Sequence, residues 1–140
     1  MTEMDKILPL MPYGPGFLYV DEIVRADEDG IIGTYRFPPE AKYYDDHFPG
    51  NPVTPGVLIT EAAAQIGLVA YSIWLGGRIS GQVALTASNM QFLKPVPPGS
   101  TIEVRSAKIY NRFGKLKCSV AVWCKGELVA EGTLEGMIHG

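Results

Sequence analysis

The sequence predicts an α+β fold in which one long buried helix packs against an antiparallel sheet. The first observation is residues 56–75, a run that is apolar on nearly every helical face and holds a single acid, Glu61. The second is the rest of the chain, where strand-like stretches are separated by short turns that contain glycine or proline. The 140 residues, 46% hydrophobic and 19% charged, are typical of one globular domain spanning residues 1–140.

The apolar run is predicted to be a core helix rather than a membrane span. At about 1.5 Å per residue it is roughly 30 Å long, enough to cross a small domain or a bilayer. However, an acid such as Glu61 within a membrane helix costs about 2.5–3.5 kcal/mol, and no second hydrophobic segment follows. Thr54 is the predicted N-cap and Pro55 the predicted first helical residue. Gly76 and Gly77 are the predicted stop.

Five segments are predicted before the long helix. A short helix over residues 2–8 ends before Pro9, and residues 12–16 form a turn rich in proline and glycine. Residues 17–25 and 30–37 read as a strand hairpin with a turn between them, and residues 41–46 lead into the helix.

Four strands are predicted after the helix, and two of their connections are tight enough to imply antiparallel neighbours. The predicted strands are residues 83–93, 101–111, 116–124 and 128–138, with turns at 95–99, 113–115 and 125–126. His139 is predicted to belong to a disordered tail.

Composition argues against several classes of function. The net charge is −3 and no arginine-rich run is present, so a nucleic-acid partner is not expected. The acidic N-terminus does not resemble a signal peptide. Cys118 and Cys124 lie about 20 Å apart along one predicted strand, which indicates free thiols in a reducing, cytoplasmic compartment. No metal-ligand spacing occurs, and neither a metal nor a cofactor is predicted.

The stretch HFPGNPVTPGVLITEAAAQ at residues 47–65 resembles the signature of the FabZ-type 3-hydroxyacyl-[acyl-carrier-protein] dehydratases. The opening at residues 10–21 and the turn at residues 92–100 are similar to further motifs of that family. The resemblance implies the hot-dog fold, one sheet curled around one helix. Two departures stand out: Tyr13-Gly14 replaces a usual His-Arg pair, and Asp46 replaces a usual glycine.

The resemblance implies roles for five residues in removing water from a 3-hydroxyacyl thioester. His47 would take the C2 proton, and Glu61 would protonate the departing hydroxyl if burial favours its neutral form. The backbone amides of Gly56 and Val57, at the positive end of the helix dipole, would hold the thioester oxygen. Gln65, one turn after Glu61, is expected to support that acid rather than to react.

The resemblance also implies partners. The expected assembly is a homodimer, or a larger assembly of dimers, in which His47 and Glu61 of one site come from different subunits. The substrate would arrive on the phosphopantetheine arm of an acidic acyl carrier protein, with Lys94 as a candidate contact. Lys108, Arg112, Lys115 and Lys117 form a local basic patch on one hairpin, which is equally consistent with a solvated face.

Other functions remain open at this point. A hot-dog acyl thioesterase would use an acid on the helix to activate water and would not need His47. A non-catalytic acyl-thioester-binding subunit would bind without turnover, although such a subunit would be expected to lack His47 or Glu61. The isomerising dehydratases of this fold carry aspartate at the Glu61 position, which argues against isomerisation. The pathway (fatty acid, polyketide or aryl polyene) and the acyl chain length are left open.

Overall fold

The computed structural model describes residues 4–76 and 83–138, so the predictions for Thr2, Gly77 and His139 fall outside it. Within these ranges the chain forms six strands, one short helix and one long helix. The strands are β1 Glu22–Ala26, β2 Gly30–Arg36, β3 Val83–Phe92, β4 Thr101–Arg112, β5 Lys115–Cys124 and β6 Glu127–Ile138. The helices are α1 Tyr43–Asp46 and α2 Gly56–Gly76.

The six strands form one antiparallel sheet in the order β1-β2-β4-β5-β6-β3, and α2 packs on one face of it. The two tight hairpins join β4 to β5 and β5 to β6, as predicted. Their turns are Phe113-Gly114 and Lys125-Gly126, with φ of 53° and 75° in the first and 52° and 78° in the second. Paired left-handed residues match the right-handed twist of flanking strands, which explains why two residues suffice.

Side chains that alternate along β4 and β5 supply the sheet side of the core. On β5, every second residue from Leu116 to Cys124 is buried, so Cys118 and Cys124 point inward as free thiols. On β4 the alternation holds through Ser106. A register shift between Lys108 and Tyr110 then changes the pairing with β5, and the apolar side chain of Ile109 is 51% exposed.

Helix α2 is α-helical over Gly56–Ala64, π-helical over Gln65–Ala70 and α-helical again over Tyr71–Gly76. The π-helical turns are completely buried, and Ser106 on β4 donates a hydrogen bond from its hydroxyl to the Gly67 carbonyl. The helix is long and apolar enough to cross a bilayer, yet 72% of its apolar window is buried inside the chain. Its apolar character is therefore accounted for by the core.

Three local predictions are wrong. The N-terminal helix is instead two short 3-10 turns, Met4–Lys6 and Leu8–Leu10. The first strand begins only at Glu22, because backbone groups of Phe17 and Tyr19 bond to the Gln65 side chain rather than to a neighbouring strand. Thr54 does not cap α2, since its hydroxyl shares a buried 2.6 Å hydrogen bond with the Tyr44 hydroxyl and Pro55 occupies the N-cap position.

Candidate active site

His47 lies on the loop between α1 and α2, in a network of backbone hydrogen bonds. Its amide donates to the Tyr43 carbonyl, and its own carbonyl accepts from the Val53 amide. Its ring stacks on Phe48 with centroids 4.2 Å apart. These contacts fix the position of the imidazole without any partner from the sheet.

The ring nitrogen Nδ1 of His47 lies 2.9 Å from the Val53 carbonyl oxygen. A carbonyl oxygen only accepts, so in the neutral ring Nδ1 carries the proton and donates it to this bond. The other nitrogen, Nε2, then holds a lone pair and has no hydrogen-bond partner among the described residues. This arrangement leaves Nε2 as the basic atom of the loop.

The start of α2, which follows this loop in the chain, offers backbone amides to a ligand. Gly56 and Val57 are the first two helical residues, whose amides have no acceptor within a helix. The amides of Leu58 and Ile59 both donate to the Pro55 carbonyl instead. Val57 is 76% exposed, and a Cβ on Gly56 would lie 3.1 Å from the Phe92 ring. Glycine therefore leaves room for the Phe92 ring beside the first turn of α2.

Glu61 lies in the second turn of α2 and is held by Gln65. The Gln65 amide nitrogen donates 2.9 Å bonds to Glu61 Oε2 and to the Phe17 carbonyl, while its Oε1 accepts a 2.8 Å bond from the Tyr19 amide. Gln65 has no exposed surface. Both of its N–H donors and one lone pair of its oxygen are used. The orientation of the amide is therefore fixed, and Glu61 receives its donor on Oε2.

Two phenols face the charge of Glu61. Burial raises the pKa of Tyr13 and of Tyr19, and the negative charge of Glu61 raises both further. Sequence reasoning singled out Tyr13 only as a departure from the family pattern and did not single out Tyr19. No local signal identifies them, because Gln65 brings this segment to Glu61 from 46 and 48 residues away.

The predicted site residues separate into two groups. Gly56 and Val57 are contiguous with the turn that carries Glu61 and Gln65, but no hydrogen bond or ion pair joins His47 to Glu61 within the described residues. Lys94 forms a 2.6 Å ion pair with Glu127, so its charge is offset locally. It also lines a hollow of ≈ 350 Å³ with Thr54, Gly56, Ile59 and Phe92, among others.

A larger hollow, ≈ 680 Å³, lies across the sheet and includes Arg25, Arg105 and Glu131 on its lining. None of the predicted site residues lines it. Because the reactive groups and the free helix amides lie elsewhere, we place the site at the start of α2 despite the smaller hollow there.

Comparison with known proteins identifies the family of the chain. Residues 11–133 match the FabA-like domain family. Over 140 aligned residues the chain is 38% identical to the 3-hydroxyacyl-[acyl-carrier-protein] dehydratase FabZ of Herpetosiphon aurantiacus, covering 96% of each chain. It is 35% identical to the FabZ of Bartonella henselae, covering 97% of this chain and 89% of that one.

Solved structures show the same fold. The dehydratase heterocomplex ApeI:P from Xenorhabdus doucetiae aligns with a TM-score of 0.81 at 11% identity, covering 96% of this chain and 91% of that chain. A hypothetical thioesterase with coenzyme A from Streptococcus pneumoniae aligns at 0.70 and 14% identity, covering 98% and 97%. At such low identity these likenesses establish the hot-dog fold and not the reaction.

The sequence relatives go further than the structures, because they combine identities above 30% with coverage of nearly the whole chain. The chain therefore belongs to the FabA-like family, among the FabZ-type 3-hydroxyacyl-[acyl-carrier-protein] dehydratases.

Proposed function

We propose that this chain dehydrates 3-hydroxyacyl thioesters on acyl carrier protein to trans-2-enoyl thioesters, in fatty acid biosynthesis or a related pathway. Membership of the FabZ-type family supports the reaction. The observation that carries the mechanism is the bonding of two side chains. The His47 imidazole is held through Nδ1, which leaves Nε2 free, and the Glu61 carboxyl group is held through one of its two oxygens.

His47 acts as the base. Its Nε2 lone pair takes the C2 proton, and the Val53 carbonyl then faces Nδ1–H of the imidazolium, which favours the positive charge. The electron pair of the broken C2–H bond moves toward the thioester carbonyl. The thioester oxygen thereby gains negative charge.

Gly56 and Val57 stabilise that charge. Their amides are the free donors at the positive end of the α2 dipole, and Gly56 presents no side chain to obstruct the thioester. Removing one such donor typically lowers the rate by about 10²–10³. Val57 contributes through its backbone, since its side chain is largely exposed.

Glu61 acts as the acid. Gln65 donates to Oε2, which leaves Oε1 to carry the proton. As the enolate collapses, the C2–C3 double bond forms, the C3–O bond breaks, and the departing hydroxyl takes this proton and leaves as water. The imidazolium of His47 then releases a proton to solvent, and the carboxylate of Glu61 takes one up, which restores both groups.

The site is shared between two copies of the chain. Strand β3 is the last strand of the sheet, and residues 84–89 are exposed on both faces. An unpaired edge of ten residues readily pairs with another strand. Because Phe92 at the end of β3 packs against Gly56, a second copy paired along β3 would lie beside the start of α2. It could thus bring its own His47 to this Glu61.

The β4–β5 hairpin is the better candidate for the carrier-protein surface than Lys94. Residues 108–117 hold four of the chain's 12 lysines and arginines and no acid. Glu28 and Glu135 pair with Lys108 and Lys115, and Glu135 is also the cross-strand neighbour of Lys117. Arg112 lies over the Tyr110 ring and forms no ion pair among the described residues. Phe113 at the tip is 96% exposed. An excess of cations beside an exposed aromatic ring suits an acidic partner.

The relatives' role in carrier-linked metabolism is consistent with action in the cytoplasm, by one domain spanning residues 1–140. Assembly of dimers into larger particles is compatible with these surfaces. Size-exclusion chromatography with light scattering would test the dimer. Ser88→Pro removes an amide in the middle of β3 and should give monomers that lack activity.

Turnover of a 3-hydroxyacyl pantetheine, followed by the absorbance of the enoyl thioester, tests the reaction. We expect His47→Ala and Glu61→Gln each to lower the rate by about 10²–10⁴, the range for a lost general acid or base. Circular dichroism should show both variants folded. Mixing the two inactive variants should restore part of the activity if the sites are shared, since one mixed site in a heterodimer keeps both groups.

Other outcomes would favour the alternatives. Release of free acid and thiol that survives His47→Ala would indicate a thioesterase. Binding of the thioester with no product from the wild type would indicate a binding subunit. Recovery of activity on mixing excludes both, because neither requires His47 and Glu61 together.

A further inference from the structure

The segment before β1 forms one wall around Glu61. Gln65 donates to the Phe17 carbonyl and accepts from the Tyr19 amide, and it also donates to Glu61. The same buried amide therefore ties residues 17–19 and the acid together. Any side chain carried by this segment on the side of α2 is brought close to the carboxyl group.

Four aromatic rings follow one another along this wall. The ring of Tyr13 lies 5.8 Å from that of Phe17, which lies 5.2 Å from that of Tyr19. Tyr19 stacks on Tyr35 with centroids 5.1 Å apart and the rings nearly parallel. Tyr19 is thus held between two neighbours, whereas Tyr13 is the free end of the row.

The hydroxyl of Tyr13 has no hydrogen-bond partner in the described part of the chain, although the residue is half-buried. The neighbouring Gly14 leaves space beside it, since a Cβ built there meets no atom within 4 Å. This is also where the chain departs from the family pattern, with Tyr13-Gly14 in place of a His-Arg pair. The Tyr13 phenol therefore lies beside open space on this wall of the site.

The Tyr13 hydroxyl interacts with Glu61 at a distance. Burial raises the pKa of Tyr13, and the charge of Glu61 raises it further, yet the two groups share no hydrogen bond. Glu61 is not among the charges that raise the pKa of Tyr35, which lies further along the row. The Tyr13 and Glu61 side chains are therefore close enough to influence each other without being joined directly.

We propose, on the basis of the dehydratase function, that Tyr13 contacts the substrate by donating a hydrogen bond to its C3 oxygen opposite Glu61. The C3 oxygen has two lone pairs. One takes the proton of Glu61 as the C3–O bond breaks, and the other accepts from Tyr13, so that the departing water is held by both groups. Tyr13 thereby selects acyl chains that carry a 3-hydroxyl.

The test compares binding of two ligands to a variant with greatly reduced turnover. In the His47→Ala background, a 3-hydroxyacyl pantetheine and the saturated acyl pantetheine of equal length are titrated by calorimetry. Tyr13→Phe should weaken binding of the hydroxyacyl ligand about tenfold, the equivalent of one hydrogen bond, and change that of the saturated ligand less than about twofold. In the His47-containing enzyme, Tyr13→Phe should lower kcat/KM by a similar factor.

Tyr35→Phe is the matched control, because it removes a phenol from the same row without touching Glu61. It should leave the preference for the hydroxyacyl ligand unchanged. Equal weakening of both ligands by Tyr13→Phe, or no weakening of either, would overturn the proposal. Wild-type turnover is measured separately: active enzyme with an unchanged preference defeats this inference alone, whereas absence of enoyl product defeats the dehydratase function itself.

Discussion

The segment that carries His47 is held by its own backbone, whereas the turn that carries Glu61 is held by a side chain that reaches 46 and 48 residues away. The His47 loop closes on itself through Tyr43 and Val53, all within ten residues. Glu61 depends on Gln65, which also bonds Phe17 and Tyr19. The position of the base thus depends on its own loop, whereas that of the acid depends on the core. We call the loop around His47 the loop half of the site, and Glu61 with Gln65 and the segment it bonds the acid half. Substitutions in the two halves should have different effects on stability and activity.

Replacing Gln65 should have the largest effect on stability. In Gln65→Leu the partly buried Phe17 carbonyl and Tyr19 amide lose their partner, and a group left unpaired away from water costs about 1–3 kcal/mol. We expect the free energy of unfolding to fall by about 2–5 kcal/mol in urea titrations. Loss of the donor to Glu61 should also lower kcat by about 10²-fold, the usual consequence of a misplaced catalytic group.

Ser72→Ala provides the control for that comparison, since Ser72 is a buried polar residue of the same helix. Within residues 4–76 and 83–138, its hydroxyl bonds only to the Val69 carbonyl in the preceding turn. The unfolding free energy should change by no more than about 1 kcal/mol, with normal kcat. A Gln65→Leu protein as stable and active as Ser72→Ala would show that the acid half is not held from the core.

Gly56→Ala, at the start of α2, should lower activity without lowering stability. The added methyl group would lie 3.1 Å from the half-exposed Phe92 ring, which can shift by a few tenths of an ångström. Alanine favours the helical backbone by up to about 1 kcal/mol, so thermal stability should hold or rise. The methyl group narrows the approach to the amides, and kcat/KM should fall about tenfold.

Gly16→Ala is the matched substitution, because its new Cβ would meet no atom within 4 Å. Steady-state kinetics should give wild-type values. A Gly56→Ala enzyme with normal kcat/KM would argue that the thioester does not approach this backbone.

Thr54→Val, in the loop half, should lower the stability of the protein but leave its activity nearly unchanged. Valine has the shape of threonine but cannot bond to the Tyr44 hydroxyl, so we expect a loss of about 1–2 kcal/mol in unfolding free energy. The His47 contacts are made by backbone groups and remain, so kcat should stay within about threefold of the wild type. Tyr44→Phe and the double variant complete a cycle. Additive losses would mean that the two hydroxyls do not interact.

The contrast between the halves also explains what could be predicted from the sequence. His47, the helix start and Glu61 fall within one stretch of nineteen residues, 47–65, whose residue types and spacing are local information. The strands and hairpins after α2 were predicted within a few residues, because glycine turns and alternation are local too.

Errors arose where a distant group replaced a local preference. Residues 17–21 have strand-like composition, but the Gln65 amide takes the backbone bonds that a strand would offer. Thr54 has the position of a helix cap, but a hydroxyl from α1 competes successfully for its oxygen. The proximity of Tyr13 to Glu61 follows from the Gln65 bonds and has no pattern of its own in the sequence.

The smallest expected effect concerns the phenols that support the acid half. Burial raises the pKa of Tyr35 to about 12, with smaller contributions from neighbouring charges, whereas a phenol in the unfolded chain titrates near 10. The unfolded chain therefore loses its proton first. The stabilisation by neutral Tyr35 is complete below about pH 10 and is lost as the pH rises towards 12.

Tyr35→Phe removes this dependence on pH. Once the change in stability at neutral pH has been subtracted, the midpoint of alkaline unfolding of the variant should be about a few tenths of a pH unit higher than that of the wild type, as followed by circular dichroism. An unchanged midpoint would mean that this phenol is free to ionise in the folded protein, and hence that the aromatic row behind Glu61 opens to water more readily than the stacked rings indicate.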